Sequence, residues 1–221
     1  MQIQIGESEH PLIIGIGGTA KAGSSTECAL SLAMEASARA GARTQVFDGH
    51  YLVSLPHYGT QESFVSKEGR EFVNALRNAD GIILASPGYH GSVSGLLKNA
   101  IDYVEETSKD PRVYFDGLPV GLIATAHGWQ AAASTLAALR SIVHALRGWP
   151  TPLGVTLNTS GAPFKEGRCN DATAAQQLAL VGQQVTEFAR LRCLKPAFAG
   201  RAQAGTQSFA TAEQLVSCNA G

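Results

Sequence analysis

Leu12-Ile13-Ile14-Gly15-Ile16-Gly17-Gly18-Thr19-Ala20-Lys21-Ala22-Gly23-Ser24-Ser25-Thr26 is the stretch from which the fold can be read. It opens as a short apolar run, the kind a strand buried on both faces requires. It then turns to glycine and small hydroxyl residues, and a helix-like segment follows from Ser25 to Ala40. Strand, glycine-rich loop and helix start together build an anion site. The first N–H groups of a helix lack partners and stand at the positive end of its dipole. Thr19, Ser24, Ser25 and Thr26 add hydroxyls, and Lys21 adds a positive charge. Ser24 and Glu27 have the spacing of a capping box, which marks the helix start independently. The inference is a phosphate held here, on a small cofactor. No G-x-x-x-x-G-K-[ST] is present, and Gly15, Gly17 and Gly18 do not complete G-x-G-x-x-G, so two familiar nucleotide loops are excluded. For this segment alone, an ordinary strand-to-helix turn is the competing reading.

The rest of the chain repeats the pattern. Its 221 residues suit one domain, expected over 1–194, with a tail over 195–221 rich in Ala, Gly, Gln and Ser. Strands are predicted at 11–17, 44–47, 81–85, 119–125 and 153–157. Helices are predicted at 25–40, 63–78, 95–106, 131–147 and 171–194. Gly41 closes the first helix, and Pro150 and Pro152 are expected to break the chain before the fifth strand. The segments 48–60, 86–94 and 158–170 read as loops. Alternating strands and helices imply parallel strands, right-handed crossovers and helices on both faces. The fold class predicted is α/β, a doubly wound five-stranded parallel sheet of order 2-1-3-4-5. Its switch point lies between the first and third strands, where ligands bind at the carboxyl ends. The loops there are Gly17–Thr26 and Ser86–Ser94, with Ala126–Ala131 alongside.

Composition narrows the function classes. A net charge of -1 favours neither nucleic acid nor an anionic membrane surface as partner. No apolar stretch has the length of a membrane span, and the first ten residues have neither a basic region nor an apolar core, so no secretory signal is expected. Cys28, Cys169, Cys193 and Cys218 show no C-x-x-C or metal-ligand spacing; they read as buried thiols in a reducing cytoplasm. Asn158-Thr159-Ser160 matches a glycosylation acceptor and is discounted for the same compartment.

Ser86-Pro87-Gly88-Tyr89-His90-Gly91-Ser92-Val93-Ser94-Gly95-Leu96-Leu97-Lys98-Asn99-Ala100-Ile101-Asp102 closely resembles the second loop and following helix of the NADPH-dependent FMN reductase family. Gly17 to Thr26 resembles that family's phosphate loop, and the resemblance extends from Leu12 to Phe188. It implies a flavodoxin-like fold, bound FMN, a homodimer or homotetramer, and reduction of flavin by NAD(P)H. By position, Thr19, Lys21, Ser24 and Thr26 would hold the FMN phosphate, with Ser25 beside them at the helix start. Pro87, Gly88, Tyr89, His90 and Gly91 would line the isoalloxazine ring, and His127, Gly128 and Trp129 would close the third side. Lys21 stands where the family usually has Arg; it keeps the charge and loses the planar fork.

The chemistry expected is hydride transfer from nicotinamide to flavin, with no obligatory side-chain acid or base. Electrons would go on to free flavin, a flavin-dependent monooxygenase or a small quinone or azo acceptor. Reduction puts negative charge on the ring edge, which backbone N–H groups stabilise. Glycine at 88, 91 and 128 would let the backbone approach. Tyr89, His90, His127 and Trp129 each have a plainer reading, as packing, exposed loop or subunit contact. Asp102 and Glu105 read as solvated or inter-subunit residues, and His57 and Tyr58 as part of a mobile loop. Two other classes compete. A flavodoxin-type electron carrier would be expected to have an acidic surface, which the charge balance lacks. A phosphate-site hydrolase would need a nucleophile or metal carboxylates, and the three loops hold no acidic cluster.

Overall fold

The computed structural model describes residues 10–165 and 167–193. The expected tail over 195–221, Cys218 and the first nine residues lie outside them. In chain order come β1 (Leu12–Gly17), α1 (Ser25–Arg39), β2 (Arg43–Phe47), α2 (Gly49–Ser54), α3 (Gln61–Val65), α4 (Lys67–Asn78) and β3 (Gly81–Tyr89). Then follow β4 (Ser92–Val93), α5 (Gly95–Asp102), a 3-10 turn (Tyr103–Thr107), β5 (Pro119–Ala126), α6 (Trp129–Ala145) and β6 (Trp149–Asn158). The hairpin β7 (Phe164–Lys165) and β8 (Arg168–Cys169) precedes α7 (Ala172–Cys193).

The parallel sheet has the order β2-β1-β3-β5-β6, with β4 folded back on β3. Its five main strands thus follow the predicted 2-1-3-4-5, and the switch point lies between β1 and β3. β1, β3 and β5 are apolar because both their faces are covered. On one face Ile13, Ile83, Ile123 and Val155 pack against Ala29, Ala33 and Met34 of α1 and Leu178, Val181 and Val185 of α7. On the other, Ile14, Ile16, Ile82, Leu84 and Leu122 meet Phe72 and Leu76 of α4, Leu97 and Ile101 of α5, and Leu139 and Val143 of α6. Each such side chain removed from water stabilises the fold by about 1.5–3 kcal/mol.

Four expectations need correction. The segment 48–60 is not all loop: Asp48 caps α2, its Oδ1 accepting the Tyr51 N–H at 2.8 Å. The helix expected over 63–78 is two, because Ser66 leaves helical geometry and caps α4, accepting the Gly69 N–H at 2.9 Å. Pro150 and Pro152 do not precede the last main strand but lie within it. Among the described residues β6 pairs only with β5 and forms an edge, so a missing donor is tolerated there. The register skips from Val120↔Pro150 to Leu122↔Gly154, so the extra residues around Pro152 bulge out. Finally, 158–170 carries the β7–β8 hairpin. Smaller differences are at ends: α5 gives way to the 3-10 turn after Asp102, and α6 starts two residues early.

Among the described residues Cys28, Cys169 and Cys193 form no disulfide, and all three are half-buried, not buried. Among the described residues no cluster of three metal-ligating side chains occurs, and no helix is long and apolar enough to cross a membrane.

Candidate flavin site

The ends of β1 and β3 bring the first two loops together through specific bonds. Gly18 N–H donates to Ala85 O at 2.8 Å, and Ser94 Oγ donates to Gly18 O at 2.6 Å. Ser94 also caps α5, its Oγ accepting the Leu97 N–H at 3.1 Å, and its own N–H donates to the buried Ser86 Oγ at 3.0 Å. Ser86 and Ser94 thus clamp the first loop to the second. Neither is among the residues expected at the site, although both stand in the Ser86–Asp102 run; their positions at a strand end and a helix cap are the sequence signal that marks them.

In the first loop, Ser24 caps α1, its Oγ accepting the Glu27 N–H at 3.3 Å. Thr19 Oγ1 accepts the Lys21 N–H at 3.3 Å, and Lys21 itself is exposed. Among the described residues, the N–H groups of Thr19, Ala20, Ala22, Ser25 and Thr26 make no hydrogen bond. Five free donors around one helix start form a cradle suited to a phosphate. Thr26 sits differently from its neighbours. Only 3% exposed, it turns its hydroxyl onto Thr125 Oγ1 at 2.6 Å and joins α1 to β5. Its N–H faces the cradle's end of the helix; its side chain holds the scaffold. Beneath Thr19 lies the start of α2, so close that a Cβ on Gly49 would meet Thr19 O and C. Asp48 and Gly49 line a crevice of about 210 Å³ with Gly17, Thr19, Glu27 and Leu30.

The second loop is a two-residue β-hairpin. Gly88 pairs with Val93 and Tyr89 with Ser92, leaving His90 and Gly91 at the turn. Both have positive φ, 49° and 87°, as a type I′ turn requires, which explains Gly91. Pro87 is buried in β3, whereas Tyr89, 56% exposed, and His90 stand out on the hairpin. Gly88 has a packing reason of its own. A Cβ there would collide with Thr135 Oγ1 on α6 and crowd Ala131 O, so the residue is glycine to let the hairpin pack on α6.

The third loop is short. His127 is exposed, Gly128 has φ 139° and ψ 144°, a region open essentially to glycine alone, and Trp129 begins α6 with 62% of its surface exposed. Trp129 also borders a groove of about 320 Å³ with Asn158, Ser160, Ala162, Asn170 and Asp171, which the sequence reading did not anticipate. Away from the loops, Asp102 pairs with Lys98 at 2.5 Å and Glu105 accepts from Tyr114 OH at 3.0 Å. Tyr58 is fixed rather than loose: Asn99 Oδ1 accepts its N–H at 2.8 Å, and its hydroxyl donates to Glu106 at 3.0 Å. Burial first, then that bond and the charges of Glu106, Glu105 and Asp102, push the Tyr58 phenol up to about 12.

Residues 11–162 match the model of the NADPH-dependent FMN reductase family. The chain belongs to that family. This FMN reductase relative is 32% identical over 142 residues to the FMN-dependent NADPH-azoreductase of Staphylococcus aureus, covering 62% of this chain and 72% of that one. Two solved structures share the flavodoxin-like fold. One is the NAD(P)H:(acceptor) oxidoreductase FerB of Paracoccus denitrificans, with TM-score 0.66, 17% identity, and 82% and 98% of the two chains covered. The other is an NADH:FMN oxidoreductase in apo form, with TM-score 0.59, 20% identity, and 82% and 89% covered. As an FMN reductase family member the chain is an oxidoreductase of the NAD(P)H:FMN type, and the family uses FMN with NAD(P)H.

Proposed function

We propose that the protein carries hydride equivalents from NAD(P)H, through FMN held at the β1/β3 switch point, to a small organic acceptor such as an azo compound, a quinone or free flavin. FMN, when bound, supplies a ring that takes hydride from nicotinamide and passes electrons on. The chain supplies binding, orientation and electrostatics. The observation that carries this reading is the cradle of free N–H groups at Thr19, Ala20, Ala22, Ser25 and Thr26, directly beside the Ser86–Ser94 clamp. Those donors, with Lys21 and the Ser24 and Ser25 hydroxyls, would take the phosphate. Pro87 to Gly91 and His127–Gly128 would border the rings from the other two loops. Among the described residues nothing within 4 Å would meet a Cβ on Gly91 or Gly128, which leaves the backbone there open to a flat ligand. A catalytic side chain is not required, since hydride transfer needs aligned rings and N–H groups near the growing negative charge.

The azoreductase relative favours a small dye or quinone over a protein monooxygenase as the acceptor. Residence in the cytoplasm and assembly into a homodimer or homotetramer belong to the same proposal. An absorbance spectrum of the purified protein supplemented with FMN, followed by anaerobic NADPH and NADH titration, is the test. Bleaching of protein-bound flavin, and faster turnover with a quinone or azo dye than with free FMN, are expected. Flavin that stays oxidised with both nucleotides would instead fit a flavodoxin-type carrier.

A further inference from the structure

Glu27 departs from the usual capping box in a way that bears on the cradle. In the usual arrangement the glutamate side chain returns to the N–H of the capping residue. Here the Ser24 N–H bonds to Lys21 O at 3.3 Å, and Glu27 Oε2 reaches one residue further out, taking the Gly23 N–H at 2.6 Å. A carboxylate of the chain therefore occupies a donor of the loop itself. That contact is at the short end for a bond with an ionised acceptor. Lys21 and Glu27 are the only charged residues between Gly17 and Ser31, so the segment has no net charge. Lys21 forms no ion pair among the described residues, leaving the Glu27 charge unneutralised by it. Asp48, the other acid lining the crevice beside Glu27, adds a second negative group while its Oδ1 caps α2.

We propose that Glu27 sets the affinity of the loop for the phosphate of FMN, holding one donor and opposing the incoming dianion, so that FMN exchanges instead of remaining permanently bound. This rests on the flavin site proposed above. A phosphate monoester carries about -2 at neutral pH and arrives at a loop whose single cation is matched by a single anion. Removing the anion leaves a net positive cradle. Glu27→Gln keeps an oxygen able to accept the Gly23 N–H and removes only the charge; Glu27→Ala frees the donor as well.

The experiment measures dissociation constants of FMN and of riboflavin, which lacks the phosphate, for wild type and both variants by flavin fluorescence quenching. E27Q is expected to bind FMN about five- to tenfold more tightly, the scale of one unit charge removed within several ångströms in a watery site. Riboflavin affinity should stay unchanged in E27Q, and the FMN gain should shrink when salt is raised from about 0.02 M to 0.5 M. E27A should shift FMN binding in the same direction. FMN affinity equal to or weaker than wild type in E27Q, or an equal gain for riboflavin, overturns the proposal while leaving the flavin site intact. A wild-type protein that binds neither flavin overturns the site and this inference together.

Discussion

At Gly88 the chemistry is packing between a hairpin and a helix. Because a Cβ would run into Thr135 Oγ1, Gly88→Ala should cost about 1–3 kcal/mol, the usual range for overpacking. Adding Thr135→Ala, which removes the obstructing hydroxyl, should return most of that loss; urea unfolding of the single and double variants measures the coupling. A single variant as stable as wild type would show that the hairpin can shift off α6. Lys21 calls for the opposite readout. Exposed and without an ion pair among the described residues, it contributes little to folding, yet it is the only cation in the loop. Lys21→Ala should leave the urea midpoint unchanged and weaken FMN binding by about 1–3 kcal/mol, the range for charge-assisted hydrogen bonds. Fluorescence titration with FMN decides it, and unchanged affinity would remove Lys21 from the site. The sequence marks both residues as special. It separates their roles poorly, because what excludes a side chain at Gly88 is a residue 47 positions away, Thr135.

Elements with one dominant local signal were legible and those set by distant partners were not. β1, β3 and β5 announce themselves as apolar runs, and α1 by its cap. Ser66 looks like any polar residue in an amphipathic stretch; only the arrival of the chain at α4 makes it a boundary. The prolines of β6 read as a break because the bulge that accommodates Pro152, between Val120↔Pro150 and Leu122↔Gly154, depends on pairing with β5 and has no local signal. Between β2 and α5, the segment 48–60 is held by tyrosine hydroxyls. Tyr51 donates to Glu68 O at 2.8 Å and Tyr58 to the Glu106 carboxylate at 3.0 Å. Both phenols are pushed up to about 12, by burial first and then by nearby carboxylates. An unfolded tyrosine titrates near 10, so between pH 10 and 12 the folded chain retains protons that the unfolded chain releases. The stabilisation is complete below about pH 10 and is lost as pH rises towards 12. Urea midpoints should therefore fall between pH 9 and pH 11, and the Tyr51→Phe/Tyr58→Phe protein should show a shallower fall. Parallel slopes would mean that these phenols titrate alike in both states.

Across the whole molecule, the cradle depends on a contact far from it in sequence. α1 begins at the proposed phosphate loop and runs against α7, the last element described. A Cβ on Gly182 would strike Ala33 O, and Ser37 Oγ lies within hydrogen-bond reach of both Ala33 O and Gly182 O, at 3.2 and 3.1 Å. The two helices meet backbone to backbone there, with Val181 and Val185 beside the contact covering the sheet. Such an interface has no side chain that can move aside, so a branched residue must push the helices apart. Gly182→Val should destabilise the fold by about 1–3 kcal/mol or more. Because α1 carries the Ser25 and Thr26 donors and Thr26 ties its start to β5, the proposed site should not survive once α7 has left. Loss of bound FMN and loss of helix signal should then follow one transition in urea, at a lower midpoint than wild type. If flavin were released well before the helix signal in this variant, α1 would be holding the loop without help from α7, and the site would be a more local structure than its packing indicates.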